Sequence, residues 1–210
     1  DVDSTTLILE DSGNSDWYSI FLFELEADKD GSDVSITELP VTVTLSSSTY
    51  ASIVNDAEIV IDGKTYDDFS VSSTTIAAPT LTFDLDDEDV VVEADDTITV
   101  ELRLKFNQLE AGNAGMTVNG EMTSTNIDAI DAEGGDDLGA SQLTGSALGD
   151  THTLRTSGIQ ITAVEDSGEA SAVLNLDTTN ADDQGKFEIE FEVTALDETA
   201  YVALTASSTS

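Results

Sequence analysis

Apolar and polar residues alternate one for one along several long stretches of this chain, and that period leaves little besides β-sheet open to it. Phe187, Ile189, Phe191 and Val193 alternate with Glu188, Glu190, Glu192 and Thr194. Ile98, Val100, Leu102, Leu104 and Phe106 alternate with Thr99, Glu101, Arg103 and Lys105. Phe21, Phe23 and Leu25 do the same with Leu22, Glu24 and Glu26, and Val41, Val43 and Leu45 with Thr42 and Thr44. Successive side chains of a strand point to opposite faces, so this pattern predicts strands with one buried and one wet face. Strands are expected near 4–10, 17–27, 34–46, 57–61, 80–85, 89–92, 97–107, 115–126, 151–156, 158–165, 171–176, 186–196 and 199–205. Turn signals separate them, such as Asp62-Gly63, Gly134-Gly135 and paired Asp residues. No segment sustains a 3.6-residue period with caps, and at most a helical turn is expected around 49–56 or 127–133. Many short strands at this spacing predict an all-β sandwich or barrel.

Charge decides which partners are open to such a chain. Its 210 residues carry 44 Asp and Glu against 6 Lys and Arg, a net charge of −38. That field repels phosphate backbones and anionic lipid surfaces, so neither nucleic acid nor a membrane surface is an expected partner. There is no run of the ~18 apolar residues that a membrane-spanning helix needs. There is no Cys, which excludes disulfides, thiolate metal sites and cysteine nucleophiles. Self-repulsion of this size opposes compaction, and Ca²⁺, high salt or dispersal along an extended assembly would offset it. The sequence opens at Asp1 rather than Met, which fits a processed mature chain or a cut one.

An echo divides the chain. Glu10-Asp11-Ser12-Gly13 closes the apolar stretch Leu7–Leu9, and Glu165-Asp166-Ser167-Gly168 closes Ile159–Val164. Phe23-Glu24-Leu25-Glu26-Ala27 follows the first, and Phe191-Glu192-Val193-Thr194-Ala195 the second. A β unit opening twice accounts for this, with a full domain over 1–156 and a second, incomplete unit over 157–210. A unit of so few strands exposes an apolar face and unpaired edges. The first unit, a neighbouring subunit or further chain beyond residue 210 would complete it. The subunit-interface candidates are Phe187, Ile189, Phe191, Val193, Tyr201 and Leu204, with Thr5, Leu7 and Leu9 as a strand to be donated.

Catalytic groups are sparse, and no enzyme activity is expected. His152 is the only histidine, and on an alternating strand it reads as an ordinary polar residue rather than a triad member. Carboxylate pairs are too abundant to single out one, and a glycosidase cleft wants aromatic platforms where this chain has one Trp, Trp17, beside Tyr18. Calcium is the one ligand whose chemistry the acidic loops suit. Asp28, Asp30 and Asp33 surround Gly31; Asp128, Asp131, Asp136 and Asp137 flank Gly134-Gly135; Asn180, Asp182 and Asp183 precede Gly185. None has the spacing of a helix–loop–helix calcium site, and the competing account of each is Asp forming the turn alone.

Several segments resemble a known group of proteins. They are Phe23-Glu24-Leu25-Glu26-Ala27-Asp28, Glu58-Ile59-Val60-Ile61-Asp62-Gly63, Leu81-Thr82-Phe83-Asp84-Leu85 with Ala94-Asp95-Asp96-Thr97, Ile127–Gly134, and Gly145–Leu154. Together they resemble the acidic tandem immunoglobulin-like β-sandwich domains of secreted prokaryotic cell-surface proteins, of the type found in candidate-phylum bacteria. The resemblance implies an all-β, immunoglobulin-like β-sandwich with a second smaller strand-rich unit, placed outside the cell at its surface. It carries over no catalytic residue. The function expected is a structural subunit of a filament or surface layer that self-associates into a polymer. The alternative is an adhesin or binding module for a glycan or a cell surface, with Trp17 and Tyr18 exposed at one end.

Overall fold

The computed structural model describes residues 2–9, 12–156, 158–163, 169–173, 184–188 and 191–196. Among the described residues the protein is all-β, mostly in strands and with almost no helix. It divides into two compact units, Asp1–Thr156 and Ser157–Ser210.

The first unit runs β1 (Thr6–Ile8), β2 (Trp17–Glu26), β3 (Val34–Leu45), the single turn α1 (Tyr50–Ile53), β4 (Val54–Ile61), β5 (Lys64–Tyr66), β6 (Phe69–Val71), β7 (Thr80–Asp84), β8 (Val91–Val92), β9 (Thr97–Phe106), β10 (Thr117–Thr123), β11 (Asp128–Asp131), β12 (Ser146–Leu148) and β13 (His152–Arg155). Among the described residues these form two sheets. The four-stranded sheet has the order β2-β9-β4-β5. The nine-stranded sheet follows β1-β13-β10-β3-β7-β6, with β8 and β11 also on β3 and β12 on β10. Every pairing is antiparallel except β1 with β13, which is parallel and sets Thr6, Leu7 and Ile8 opposite Thr153, Leu154 and Arg155.

β3 is the spine of the larger sheet. Its first half lies between β11 and β8, and its second half between β10 and β7. Pro40 stands in the middle of it, where a proline ordinarily breaks a ladder. The N–H groups of Val43 and Leu45 point toward the β7 side, to Pro79 and Ala77, so the nitrogen of Pro40 faces the other flank. There the 3₁₀ turn Ser124–Asn126 separates β10 from β11, and no ladder bond is lost.

One apolar core joins the two sheets. Phe21, Val100, Leu102, Leu104 and Phe106 come from the smaller sheet, and Leu39, Val41, Val43, Leu81 and Phe83 from the larger, each no more than 1% exposed. Burying a side chain of this size contributes about 1.5–3 kcal/mol. Phe21 lies close against the facing backbone. A Cβ placed on Gly120 or on Gly149 would lie 2.7 Å from atoms of its side chain, so only glycine fits at either position. The rings of Phe21 and Phe23 stack with centroids 4.9 Å apart.

The long alternating segments form strands as expected, and α1 falls in the expected 49–56 window. The 127–133 window holds no helical turn. Its residues form β11, because Ala129, Ile130 and Asp131 gain a partner in Val34–Ile36 of β3. β5, β6 and β12, three residues each, were not expected.

In the second unit the described strands are β14 (Gly158–Ala163), β15 (Glu169–Val173), β16 (Gln184–Glu188) and β17 (Phe191–Leu196). β14 pairs with β17 and β15 with β16, both antiparallel. The described parts of the 186–196 alternation are in strands, Lys186–Glu188 against β15 and Phe191–Leu196 against β14.

Candidate functional site

The acidic loops are built around backbone amides. Asp28 closes the β2–β3 loop: its Oδ1 accepts the Asp30 N–H at 2.9 Å and its carbonyl the Gly31 N–H at 3.0 Å. Asp33 Oδ1 accepts the Ala94 N–H at 2.9 Å, and its carbonyl accepts the Ala132 N–H at 2.9 Å. Asp131 Oδ1 accepts two amides, Glu133 at 2.9 Å and Gly134 at 3.0 Å. Those amides, with the Ser32 hydroxyl, hold the Asp131 carboxyl below its usual range. Asp136 offers its carbonyl to the Asp131 N–H, and Asp137 makes a single bridge to Ile130. Asp128 lies on β11 directly opposite Glu38.

The fold thus brings the 28–33 and 131–137 loops together through Ser32, Asp33, Asp131 and Ala132. In them the carboxylates of Asp28, Asp33 and Asp131 are already engaged by N–H groups. Among the described residues no group of three or more His, Cys, Asp or Glu is placed to hold a metal ion. Asn180, Asp182 and Asp183 lie outside the described residues.

Beside these loops a groove of about 790 Å³ opens along the end of β2. Leu25, Val34, Met122, Leu138, Leu143 and Ala147 give it apolar walls. Of these only Met122 is buried; the others are half-exposed. Glu24, Glu26, Asp28 and Asp131 also line it, against a single cation, Lys29. No periodicity announces this groove, since much of its lining comes from the irregular 138–145 segment.

The interface candidates are divided between the two units. Leu7 and Leu9 are buried in the core of their own unit, at 6% and 1% exposure, and the Thr5 carbonyl accepts the Thr153 N–H at 2.9 Å. Phe191 and Val193 stand exposed on β17, at 56% and 36%. Phe187 lies on β16 opposite Ala170, in the other ladder. Ile189, Tyr201 and Leu204 lie outside the described residues.

His152 is more than the ordinary polar strand residue its setting suggests. It is fully buried, and its Nε2 lies 2.9 Å from the Ile20 carbonyl. A carbonyl only accepts, so Nε2 carries the proton, and Nδ1 has no partner. Trp17 is 37% exposed with the Lys105 ammonium 5.9 Å from its ring centre. Tyr18 is half-buried and gives its hydroxyl to the Ile8 carbonyl. Arg103 is held by Glu101 at 2.7 Å and Glu58 at 3.6 Å, and Lys64 by Glu88 at 2.6 Å. Among the described residues no helix is long and apolar enough to cross a membrane. No family model, curated protein or solved structure matches the chain.

Proposed function

We propose that this chain is a non-enzymatic structural subunit of an extracellular cell-surface assembly, a filament or a surface layer, built from immunoglobulin-like β units. Two sheets, antiparallel but for β1 with β13, over one core support the immunoglobulin-like description of the first unit. One observation carries the assembly reading. The β14–β17 register sets Ile159, Ile161 and Ala163 opposite Ala195, Val193 and Phe191, so six apolar positions alternate onto one face. Phe191 and Val193 are exposed there. A two-stranded ladder is marginal in water, and an apolar face of this kind marks a surface meant to be covered. Neighbouring copies cover it, and the acidic exterior keeps the polymer soluble.

Electron microscopy and sedimentation of the full chain test this reading, beside the double variant Phe191→Asp, Val193→Asp. Polymers from the parent chain and monomers from the variant are expected. Monomers from both would overturn the assembly reading and leave the alternative, an adhesin or ligand-binding module. The exposed indole of Trp17 beside Lys105 is the observation that favours that second reading.

A further inference from the structure

A second surface points to a different partner. We propose that the groove beside β2 docks an extended segment of another protein in which apolar residues alternate with Lys or Arg, and that this segment adds as a strand to the free edge of β2 at Glu24–Glu26.

The backbone supplies the first argument. β2 is the outermost strand of its sheet, paired on one side with β9. The Ala27 N–H points toward β9 and bonds the Asp96 carbonyl at 3.1 Å. Successive residues of an antiparallel strand turn their N–H and C=O groups to opposite sides. Glu26 and Glu24 therefore present theirs on the edge away from β9. Among the described residues no strand pairs with that edge. An added strand would lie about 4.8 Å away.

The groove walls supply the second. Leu25 and, across the opening, Leu138, Leu143 and Ala147 are half-exposed yet packed against the core. Every second side chain of an added strand points into these walls, which is how strand addition gains specificity beyond its backbone bonds.

Charge names the occupant. The outward side chains of Glu24 and Glu26, with Asp28 and Asp131 on the loops, make the lining anionic against one Lys29. A second copy of this chain, with 6 Lys and Arg against 44 Asp and Glu, has few cations to set against this lining. Its one described strand that alternates cations with apolar residues is β9, with Arg103, Leu104, Lys105 and Phe106, and β9 is already enclosed between β2 and β4. The matching strand is cationic and comes from elsewhere.

The test uses the full chain and fluorescent peptides of about ten residues, long enough for a typical strand. One alternates Lys with Val, and its control alternates Glu with Val. Anisotropy reads binding, and amide hydrogen exchange reads the edge directly. The Lys/Val peptide is expected to bind, the Glu/Val peptide to fail, and the Glu24 and Glu26 amides to exchange more slowly in the complex. Glu24→Pro removes an outward N–H while leaving the β9 ladder intact, and is expected to weaken binding about tenfold or more; Glu24→Gln, which keeps that N–H, weakens it only about twofold to threefold. Where Glu24→Pro does not fold by circular dichroism, Leu143→Arg in the loop wall takes its place, with the same loss expected. Equal binding by the parent and Pro variants, unchanged exchange at Glu24 and Glu26, or no binding of the Lys/Val peptide would overturn the proposal. So would protection of those amides that rises with protein concentration in the absence of peptide, which would assign the groove to a second copy.

Discussion

The imidazole of His152 reaches across the core to the carbonyl of Ile20, 2.9 Å away, and joins the two sheets at a defect in one of them. Ser19 lies opposite Arg103 and Phe21 opposite Leu102, so Ile20 is an extra residue in the β2–β9 ladder. A bulge leaves its residue unpaired and bends the strand. Here the freed carbonyl is buried, and His152 is the donor that satisfies it. Replacing His152 with Ala strands that carbonyl and opens a cavity, a combined loss of about 2–4 kcal/mol, with His152→Gln recovering part of it through its amide donor. Urea unfolding midpoints of the three proteins measure both effects.

Gly120 and Phe21 are coupled by contact. Gly120→Ala forces a methyl into the Phe21 ring and is expected to destabilise by about 1–3 kcal/mol. Phe21→Leu also destabilises, by leaving a cavity. The double variant should lose less than the sum of the two, because the smaller side chain makes room for the methyl. A double-mutant cycle in urea reads the difference directly, and strict additivity would contradict the close approach.

Tyr50 buries a hydroxyl that has no partner, and burial with the nearby Asp56 pushes its ionisation above the usual range. The core holds the ring and gains nothing from the oxygen. Tyr50→Phe is therefore expected to be neutral or stabilising, by up to about 1 kcal/mol. Thermal melting checks this, and a clear loss of stability would show that the hydroxyl is engaged.

The Asp131 carboxyl is held low by the amides of Gly134 and Glu133 and by the Ser32 hydroxyl. A carboxyl whose folded pKa is depressed binds its proton more readily in the unfolded chain. Its contribution to stability is then complete above the ordinary value of 3.8 and disappears as pH falls through the lower folded value. The melting temperature of the parent is expected to exceed that of Asp131→Ala at neutral pH, and the gap to close below about pH 4. Melts of both proteins across that range test the sign.

Glu38 occupies the middle of an acidic row. It lies directly opposite Asp84 on β7 and Asp128 on β11, and all three are exposed. Like charges in directly opposed positions destabilise a sheet. Glu38→Lys converts two repulsions into attractions and is expected to gain about 0.5–1 kcal/mol at low salt, shrinking toward zero near 1 M salt as screening shortens the range of the interaction. A Ca²⁺-specific stabilisation of the parent, beyond Mg²⁺ at matched ionic strength, would instead assign the acidic surface to cation binding.

Which of these features were legible in the sequence follows from what alternation records. β2, β3 and β9 were plain because each is long and one face of each is buried. β11 was not, because Ile127 and Ile130 sit three residues apart, as on a helix, and only its pairing with β3 decides the matter. β5, β6 and β12 are too short to display a period. The segment over 186–196 alternates without a break although its partner strand changes, since periodicity reports faces and not neighbours. The acidic loops were visible as loops. That Ser32 meets Asp131 was not, because the contact crosses the whole intervening chain. His152 looked like an ordinary polar strand residue because nothing local marks the bulge at Ile20 whose carbonyl it meets.

The parallel pairing of β1 with β13 has a mechanical meaning. The chain enters the first unit beside Thr153 and leaves it beside Ile8, so entry and exit lie at opposite ends of one short ladder. Tension between Thr5 and Thr156 would load this ladder in shear, straining bonds such as Thr153 N–H to Thr5 and Leu9 N–H to Arg155 together rather than peeling them one after another. The Tyr18 hydroxyl on the Ile8 carbonyl and the buried Leu7 and Leu9 resist the same sliding motion. A unit wired this way acts as a tie rod, stiff along the line of its own backbone.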